Sequence, residues 1–274
     1  MENDYRLIDT VKSMNKTKIE IKNLYKIFGA KDKSYVKSIK DGLTKQKLLD
    51  DYNHVLGLDN INLSIPEKKI QVIMGLSGSG KSTLIRHVNR LIEPTSGELF
   101  VDGENVLSMS QNQLREFRRK STSMVFQKFA LLPHKTVSQN VAYGLTIQGV
   151  KESIAKERSH RWIDRVGLSG FEERYPAQLS GGMQQRVGLA RALATDAPIL
   201  LMDEAFSALD PLIRTDMQNI LLELQEELHK TILFITHDLD EALRIGDNIA
   251  ILRDGRVVQE LSLIHISEPT RLPG

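Results

Sequence analysis

The stretch Gln71–Thr83, which reads QVIMGLSGSGKST, decides the fold of this chain. Gly75 and Gly80 are separated by four residues, and Lys81 and Ser82 follow directly. This spacing is typical of a loop whose backbone wraps around phosphate groups. The apolar run QVIM predicts a buried strand before the loop, and a helix is expected to begin near Ser82. A strand, a glycine-rich turn and a helix in this order form the context that the pattern requires.

The residue types of this loop suit the binding of a nucleoside triphosphate with Mg²⁺. Glycines let the backbone curl so that successive N–H groups point at the phosphates, and the helix start adds the positive end of its dipole. Lys81 is expected to reach the β- and γ-phosphates, and the hydroxyl of Ser82 is expected to ligate Mg²⁺. The predicted phosphate-binding residues are Gly75, Ser77, Gly78, Gly80, Lys81, Ser82 and Thr83.

A second chemical feature is an apolar run that ends in two carboxylates. Residues 199–204 read ILLMDE, which predicts a buried strand with Asp203 and Glu204 at its carboxyl end. Strands of a doubly wound sheet deliver these ends to the ligand crevice. Asp203 therefore suits a Mg²⁺ position, and Glu204 suits the polarisation of the water that attacks the γ-phosphate. The sequence thus predicts a hydrolytic centre.

Composition limits the class of protein. The chain has 274 residues, of which 41% are hydrophobic and 26% are charged, and its formal net charge is +2. These values are typical of a globular protein and do not make nucleic acid a default partner. The lack of cysteine excludes a thiolate metal site and a cysteine nucleophile. No apolar run approaches the roughly 20 residues needed to cross a bilayer, and the N-terminus has no apolar signal region, so we expect a soluble intracellular protein.

An alternation of strands and helices predicts the architecture. The expected elements after residue 180 are a helix at 181–194, a strand at 198–203, a helix at 212–229, a strand at 231–235 and a helix at 238–245. Such alternation favours a parallel sheet covered by helices. A Lys- and Asp-rich insert at 30–57 is expected to form one or two short amphipathic helices. A stretch at about 128–178 is expected to be mostly helical.

The segment Leu179–Arg186, LSGGMQQR, provides a second anion-binding helix start. Ser180 is a good N-cap residue, and Gly181 and Gly182 leave the first amides of the helix uncovered. This segment resembles the signature of ABC-transporter ATPases. Met183 stands where many members of that family have glutamine, which affects one polar contact near the ribose and leaves the phosphate contacts in place.

The resemblance implies a fold and an assembly. The implied fold is an α/β P-loop NTPase of the ABC type, with a RecA-like core, an antiparallel β subdomain and a helical subdomain that carries the signature. In that family two subunits bury two ATP molecules head to tail. Ser180, Gly181 and Gly182 are therefore expected to contact the γ-phosphate of ATP held by a second copy of the chain. ATP and Mg²⁺ are the implied ligands.

Four further positions resemble functional positions of the same family. Gln127 follows the apolar run SMVF and resembles the glutamine that senses Mg²⁺ and links hydrolysis to the membrane partner. Asp210, in the run SALD, resembles the D-loop residue that contacts the opposite subunit, and His237 resembles the switch histidine that grips the γ-phosphate. Phe28 resembles the aromatic residue that stacks on adenine, and a core aromatic is nearly as well supported. The implied catalytic residues are Glu204, His237 and Gln127, and the implied Mg²⁺ ligands are Ser82, Gln127 and Asp203.

The segment FALLPHKTV after Gln127 resembles the groove that receives a cytoplasmic coupling helix of the transmembrane subunit. Phe129, Leu131 and Leu132 would form the exposed apolar floor of that groove. A core position of the same three residues is equally well supported by the sequence.

Longer stretches narrow the resemblance to one subfamily. Three stretches are similar to the ATPase subunit of glycine betaine/proline osmoprotectant importers. They are the insert before Asn60, IMGLSGSGKSTLIRHVNRLIEPTSG and MDEAFSALDPLIR. That likeness implies ATP hydrolysis that energises import through transmembrane permease subunits, at the cytoplasmic face of the membrane, with a solute-binding protein as an indirect partner. An importer of another small solute, such as an amino acid, is the alternative.

A different class of protein, the chromosome-maintenance and DNA-repair ATPases, has the same motifs. Those proteins need long coiled coils between the phosphate loop and the signature, and no sustained heptads occur there in this chain. Together with the small net charge, this makes nucleic acid an unexpected partner.

The expected domain limits follow from the same likeness. Residues 1–16 form an N-terminal extension, and residues 17–260 form the ATPase domain. Residues 261–274, LSLIHISEPTRLPG, look like the translation of a sequencing-library adaptor, and Pro269 and Pro273 block a continued helix or strand. We expect this tail to be non-native and loosely held. In the subfamily a tandem pair of CBS modules follows the ATPase domain, so the native gene is expected to continue.

Overall fold

The computed structural model describes residues 16–263. They fall into two compact units: one holds residues 16–109 and 246–263, and the other holds residues 110–245. The strands are β1 Thr17–Phe28, β2 Val55–Pro66, β3 Ile70–Met74, β4 Ser96–Val101, β5 Glu104–Asn105, β6 Thr122–Phe126, β7 Ile199–Asp203, β8 Thr231–Thr236, β9 Asn248–Arg253 and β10 Arg256–Ser262. The helices are α1 Val36–Lys40, α2 Lys45–Tyr52, α3 Lys81–Val88, α4 Gln111–Lys120, α5 Val137–Ile147, α6 Glu152–Arg165, α7 Gly181–Ala194, α8 Pro211–Leu228 and α9 Leu239–Ile245.

An antiparallel sheet of the first unit has the strand order β2–β1–β4–β5. Ile21 of β1 lies opposite Leu63 of β2 and Leu99 of β4. All three side chains are buried, as expected for an antiparallel sheet with one face packed on a core. The antiparallel β subdomain expected from the resemblance is therefore present.

The insert between β1 and β2 forms two short helices, α1 and α2, as its pattern predicts. Thr44 caps α2, because its hydroxyl accepts a hydrogen bond from the N–H of Lys47. Ile39 of α1 and Leu48 of α2 are buried and pack in one cluster with Ile27 of β1. The insert thus extends the core of the sheet with its own apolar side chains.

Strands β3, β9 and β10 also pair within the first unit. β3 runs parallel to β9, and β10 forms an antiparallel hairpin with β9. β10 extends to Ser262, which lies opposite Asn248. The expectation of a loosely held tail from residue 261 onward is therefore wrong for Leu261 and Ser262, which are part of a strand. Residues 264–274 lie outside the described residues, as do residues 1–15, and the origin of the tail stays a prediction.

In the second unit β6, β7 and β8 are parallel neighbours in that order. Asp203, the last residue of β7, lies opposite Phe126 of β6 and Ile235 of β8. Because the three strands run in one direction, the residues that follow them emerge at the same edge of the sheet. The candidate residues that follow the three strands are Gln127, Glu204 and His237.

The helices of the second unit follow the predicted pattern with one exception. α7 begins and ends at the expected residues, and α5 and α6 lie in the stretch predicted to be mostly helical. The exception is α4, a helix that was not predicted from the sequence. Ser110 and Gln113 form a capping box at its start, and Leu114 and Phe117 are buried on one face, so the capping signal was available in the sequence. Among residues 16–263 no helix is long and apolar enough to cross a membrane.

Candidate nucleotide-binding site

The phosphate loop lies in the first unit, between the end of β3 and the start of α3. Gly78 and Gly80 have φ angles of 77° and 103°, a left-handed backbone that glycine adopts without strain. Gly80 is also the N-cap of α3. The loop therefore bends as the glycine pattern predicts and ends at the positive end of a helix.

The ammonium group of Lys81 lies across this loop. Its Nζ donates to the carbonyl oxygen of Gly75 at 2.7 Å and to that of Leu76 at 3.0 Å, and the residue is only 4% exposed. The positive charge is thus held beside the loop backbone, where phosphate oxygens are expected to bind. This position fits the role predicted for Lys81.

Backbone segments of β2 and β9 approach the glycines of the loop closely. A Cβ atom on Gly75 would lie 2.2 Å from the carbonyl oxygen of Leu252, and a Cβ atom on Gly80 would lie 2.7 Å from that of Gly57. A backbone hydrogen bond from the β9–β10 turn to the loop adds support. Two glycines of the motif therefore have a packing role besides their role toward phosphate.

A buried histidine supports the helix that follows the loop. Nδ1 of His87 lies 2.6 Å from the carbonyl oxygen of Thr83, so Nδ1 carries the proton and donates it. Burial lowers the pKa of His87 to about 4, because the charged ring would lose its hydration. His87 is therefore neutral at physiological pH and adds no positive charge to this helix.

Phe28 lies beside Gly57, a residue that also contacts the phosphate loop. A Cβ atom on Gly57 would lie 2.6 Å from Cε2 of the Phe28 ring, and Gly57 is also the residue whose carbonyl approaches Gly80. The Phe28 residue is 40% exposed, and the ammonium of Lys26 lies 5.0 Å from its ring centroid. The structure therefore places Phe28 at the surface and not in the core. An exposed aromatic face beside the loop is what stacking on a base requires.

The second unit holds the two carboxylates that end β7. Asp203 is 3% exposed, whereas the side chain of Glu204 is 19% exposed. The backbone of Glu204 is left-handed, with φ 47°, which is uncommon for a residue with a side chain. The turn after β7 thus separates the two carboxylates, with Asp203 buried and Glu204 nearer the surface.

Glu204 is the centre of a polar cluster. Nε2 of Gln127 donates to Oε2 of Glu204 at 3.2 Å and to Oγ of Ser207 at 3.2 Å. Nδ1 of His237 lies 3.8 Å from the same Oε2, and the side chain of His237 is 56% exposed. The hydroxyl of Ser207 in turn donates to the carbonyl of Glu204 at 2.9 Å. Residues predicted from separate motifs therefore meet at one edge of the β6–β8 sheet.

The signature helix α7 begins as predicted. Oγ of Ser180 accepts from the N–H of Met183 at 3.3 Å and so caps the helix. Gly181 is exposed, whereas a Cβ atom on Gly182 would lie 2.7 Å from Cγ2 of Ile213. Gly181 thus leaves a helix start open at the surface, and Gly182 lets α7 pack closely against α8.

Asp210 has a structural role in this chain. Its Oδ1 accepts from the N–H of Ile213 at 3.1 Å, so it is the N-cap of α8. The expected contact between Asp210 and a second copy of the chain stays a prediction.

The apolar segment after Gln127 is neither a buried core nor an exposed floor. Phe129, Leu131 and Leu132 are all half-buried, so both interpretations of the sequence need correction. The fully buried amide of Asn140 holds the segment: it accepts from the N–H of Leu132 at 2.8 Å and donates to three carbonyls. Hydrogen bonds from the Asn140 side chain thus support this half-buried segment.

An open groove lies elsewhere in the second unit, between α4, β6, α5 and α7. It has a volume of about 310 Å³, and Arg118 and Arg119 of α4 lie along it. Tyr143 and Ile147 of α5, which also line it, are 39% and 44% exposed. A groove with aromatic, aliphatic and arginine side chains has the composition of a protein-binding surface.

Sequence reasoning missed three residues of this region, Gly57, Asn140 and Arg191. None belongs to a motif; Gly57 and Arg191 act through contacts with segments distant in sequence, whereas Asn140 binds residues four to eight positions before it. The guanidinium of Arg191 donates to the carbonyls of Phe129 and Ala130. A polar side chain within a mostly apolar helix was the available signal for Asn140 and Arg191.

Comparison with known proteins identifies relatives of the chain. The family model described as "ABC transporter" matches residues 58–207. The glycine betaine transport ATP-binding protein OpuAA of Bacillus subtilis (strain 168) is 56% identical over 242 residues, which are 88% of this chain and 58% of that protein. The glycine betaine/proline betaine transport system ATP-binding protein ProV of Escherichia coli (strain K12) is 54% identical over 242 residues, 88% of this chain and 60% of that protein. The chain thus spans about three fifths of the length of these relatives.

A solved structure shares the fold. The dimeric structure of MJ0796, a bacterial ABC transporter cassette, superposes with a TM-score of 0.76 at 33% sequence identity. The likeness covers 89% of this chain and 98% of that chain. The fold predicted from the phosphate loop and the signature is therefore confirmed.

Proposed function

This chain belongs to the ABC transporter family, and on that premise we propose that it is the ATP-hydrolysing subunit of an importer for an osmoprotectant of the glycine betaine type. The observation that carries the hydrolytic part is the approach of Gln127 and His237 to Glu204 at one edge of a parallel sheet. The names of relatives at 54% and 56% identity support the transported substrate. The substrate of the chain itself is ATP.

In the proposed reaction the chain binds the triphosphate and prepares one water molecule. The N–H groups of the phosphate loop and Lys81 hold the β- and γ-phosphates. Glu204 accepts a hydrogen bond from the attacking water and polarises it. His237 donates to a γ-phosphate oxygen, and Gln127 orients Glu204 through their hydrogen bond. A bond forms between the water oxygen and the γ-phosphorus, the bond from the γ-phosphorus to the bridging oxygen breaks, and ADP and phosphate leave.

The three residues predicted to hold Mg²⁺ also carry oxygen atoms of a suitable kind. Asp203 offers a carboxylate, Ser82 a hydroxyl and Gln127 an amide oxygen, and Mg²⁺ prefers oxygen ligands. Gln127 uses its amide nitrogen toward Glu204, so its amide oxygen is the atom suited to a cation. When bound, Mg²⁺ would neutralise charge on the phosphate oxygens.

The test of the hydrolytic proposal is the charge-neutral substitution Glu204→Gln. Glutamine keeps the size and hydrogen bonding but lacks the charge that polarises water, so ATP should still bind while turnover falls by at least about 100-fold. Glu226→Gln, at an exposed carboxylate of α8, is the control and should keep normal turnover. ATP affinity and phosphate release are measured for both variants. Near-normal turnover of Glu204→Gln would refute the assignment.

The proposal includes two direct partners and one indirect partner. A second copy of the chain would complete each ATP site with the helix start at Ser180–Gly182, an assembly supported by the dimeric cassette that shares the fold. Transmembrane permease subunits would bind the groove beside Tyr143 and Ile147, and the chain would then lie at the cytoplasmic face of the membrane. A solute-binding protein would act only through the permease.

Transport by the complete complex tests the substrate. Labelled glycine betaine should enter vesicles that contain the permease and this chain, and entry should require ATP. Uptake of an amino acid in place of glycine betaine would show that the complex serves another small solute. ATP hydrolysis without any permease binding would instead favour an ATPase outside transport.

A further inference from the structure

A strained elbow follows Gln127. Phe129 and Ala130 have φ angles of 53° and 49°, so two consecutive residues with side chains lie in the left-handed region. Such residues adopt this conformation rarely, and only where their surroundings enforce it. The elbow begins two residues after Gln127, whose amide contacts Glu204. The path of the chain through the elbow therefore influences where this amide lies.

One arginine holds both carbonyl groups of the elbow. Nη1 of Arg191 donates to the carbonyl of Ala130 at 2.7 Å, and Nη2 donates to that of Phe129 at 3.1 Å. The guanidinium presents its N–H donors in a rigid planar fork, which matches two acceptors at a fixed spacing. Burial lowers the pKa of Arg191, yet an arginine stays charged at neutral pH. Both hydrogen bonds are therefore charge-assisted.

The elbow also packs along the signature helix α7, to which Arg191 belongs. A Cβ atom on Gly181 would lie 3.7 Å from Cζ of Phe129, and one on Gly188 would lie 3.7 Å from the carbonyl oxygen of Phe129. Phe129 thus extends along α7 from its first residue to its middle, and Arg191 adds its two bonds one turn later. The loop that carries Gln127 therefore packs against the signature helix through Phe129 and Arg191.

The segment after the elbow is held separately. Asn140 accepts from the N–H of Leu132 and donates to three carbonyls between Leu132 and Thr136. Loss of the bonds from Arg191 therefore releases the elbow while the rest of the loop stays anchored.

We propose that Arg191 is a positioning residue for ATP hydrolysis: it fixes the elbow of Phe129 and Ala130 against α7 and so keeps Gln127 within reach of Glu204. The inference rests on the proposed function and deepens it, because it assigns a role in hydrolysis to a residue outside the recognised motifs. Arg191 acts through Gln127 and needs no contact with nucleotide.

The first test is Arg191→Lys in the full chain. Lysine keeps the charge and most of the stem but replaces the fork by a single nitrogen, so it cannot hold both carbonyls in the same geometry. We expect kcat to fall at least about fivefold while the KM for ATP stays within about twofold. The thermal unfolding temperature should remain close to that of the unmodified chain. A normal kcat would overturn the proposal.

A double variant separates positioning from a merely structural role. If Arg191 acts through Gln127, then adding Arg191→Lys to Gln127→Ala should change kcat by less than about twofold, because the group being positioned is already absent. A loss of folded protein would instead reduce kcat by the same factor in both backgrounds. Multiplicative effects would therefore overturn the proposal.

A second substitution changes the elbow without altering Arg191. Ala130 is exposed, so Ala130→Val leaves the core intact, but a β-branched residue is strongly disfavoured in the left-handed region. The same loss of kcat, again absent in the Gln127→Ala background, is expected. Ala130→Gly is its matched control and should retain kcat, because glycine tolerates this backbone. Equal kcat for the valine and glycine variants would contradict the proposal.

Arg90→Lys is the matched control for the arginine. Nη1 of Arg90 donates to the carbonyls of Val106 at 3.1 Å and Met109 at 3.0 Å, so the same chemical change occurs at another pair of carbonyls. Its kcat should stay normal. If the unmodified chain hydrolyses ATP and Arg191→Lys matches it, only the role of Arg191 fails. If Glu204→Gln retains full turnover, the proposed function fails and the role of Arg191 falls with it.

Discussion

At the scale of single residues, Gly57 shows how a position outside every motif affects the nucleotide site. It lies in β2 where the pairing with β1 is irregular, and its φ is outside the left-handed region. Alanine is therefore compatible with the backbone, but its Cβ would lie 2.6 Å from the Phe28 ring. We predict that Gly57→Ala displaces the ring and weakens ATP binding by about three- to tenfold, the value of one aromatic contact. Competition by inorganic tripolyphosphate, which has no base, should be unchanged in the same binding assay.

The control for this prediction is the double variant with Phe28→Ala. Once the ring is absent, a methyl group at Gly57 has nothing to displace, so its effect on ATP affinity should vanish. An equal loss of ATP and tripolyphosphate binding would contradict the prediction. It would indicate that the substitution moves the phosphate loop at Gly80, which the carbonyl of Gly57 approaches.

At the scale of an element, one histidine closes the insert between β1 and β2. Nδ1 of His54 lies 2.5 Å from the carbonyl oxygen of Tyr52, and Nε2 lies 2.6 Å from that of Ala30. Carbonyl oxygens only accept, so both contacts are hydrogen bonds only when both ring nitrogens carry a proton. These two hydrogen bonds raise the pKa of His54, and the charge of Asp32 raises it further. His54 therefore ties the two ends of the insert together.

The pH dependence of the insert follows from this arrangement. The pKa of His54 is higher in the folded chain than in the unfolded chain, so the stabilisation is fully present below about pH 6.5 and is lost as pH rises through the raised pKa. We predict that the amides of α2 exchange hydrogen faster at pH 8.5 than at pH 6, after correction for the intrinsic rate. Amides of α7 serve as the internal reference in the same mass-spectrometry experiment.

His54→Gln removes the titrating group from the insert. Its corrected exchange in α2 should not depend on pH over this range, because glutamine carries no charge at any of these values. Exchange in the unmodified chain that is equally independent of pH would sink the prediction.

Helix α5 lines the groove in the second unit with exposed side chains. We predict that Ile147→Glu prevents permease binding and transport, because a carboxylate replaces exposed apolar surface. ATP hydrolysis by the isolated chain should change less than about twofold, since the residue lies outside the hydrolytic cluster. Ile154→Glu on α6 is the control, because Ile154 is similarly exposed at 40% and does not line the groove. Normal transport by Ile147→Glu, measured in vesicles, would show that the permease binds elsewhere.

At the scale of the whole molecule, the described residues include a phosphate loop and, at Gly181, a signature-helix start that is exposed. We predict that Glu204→Gln forms a dimer only when ATP is present, measured by light scattering after gel filtration. Adding Gly181→Asp should abolish the dimer, because its carboxylate repels a γ-phosphate, although an acid at a helix start stabilises the helix itself. A Cβ atom at this position lies at an ordinary contact distance of 3.7 Å from Phe129, so the fold should tolerate the change.

Gly181→Asn, which has nearly the same size and no charge, is the control for this effect. It should retain more ATP-dependent dimer than Gly181→Asp. Equal dimerisation of the two variants would show that the helix start does not face a phosphate. Dimerisation without ATP would contradict the head-to-tail arrangement altogether.

The sequence by itself determined the fold class and the chemical residues. Phosphate binding requires glycines, a lysine and a hydroxyl at fixed spacing, so the pattern from Gly75 to Thr83 predicted a phosphate loop between a strand and a helix. The apolar run before Asp203 likewise predicted that Glu204 follows the end of a strand. The N-cap residue Ser180 predicted the start of α7 correctly. The capping box of α4 shows that a further element was also within reach of local signals.

The tertiary structure alone decided which distant segments support those residues. Contacts with distant segments bring the ring of His54 to the carbonyl of Ala30, limit the space at Gly57 and hold the elbow through Arg191. Local patterns report the conformation of a few neighbouring residues, whereas a carbonyl that faces a side chain from another element is placed by the path of the whole chain. Strand pairing decided the position of Ser262 in the same way, because a strand continues wherever its neighbour offers hydrogen-bonding partners.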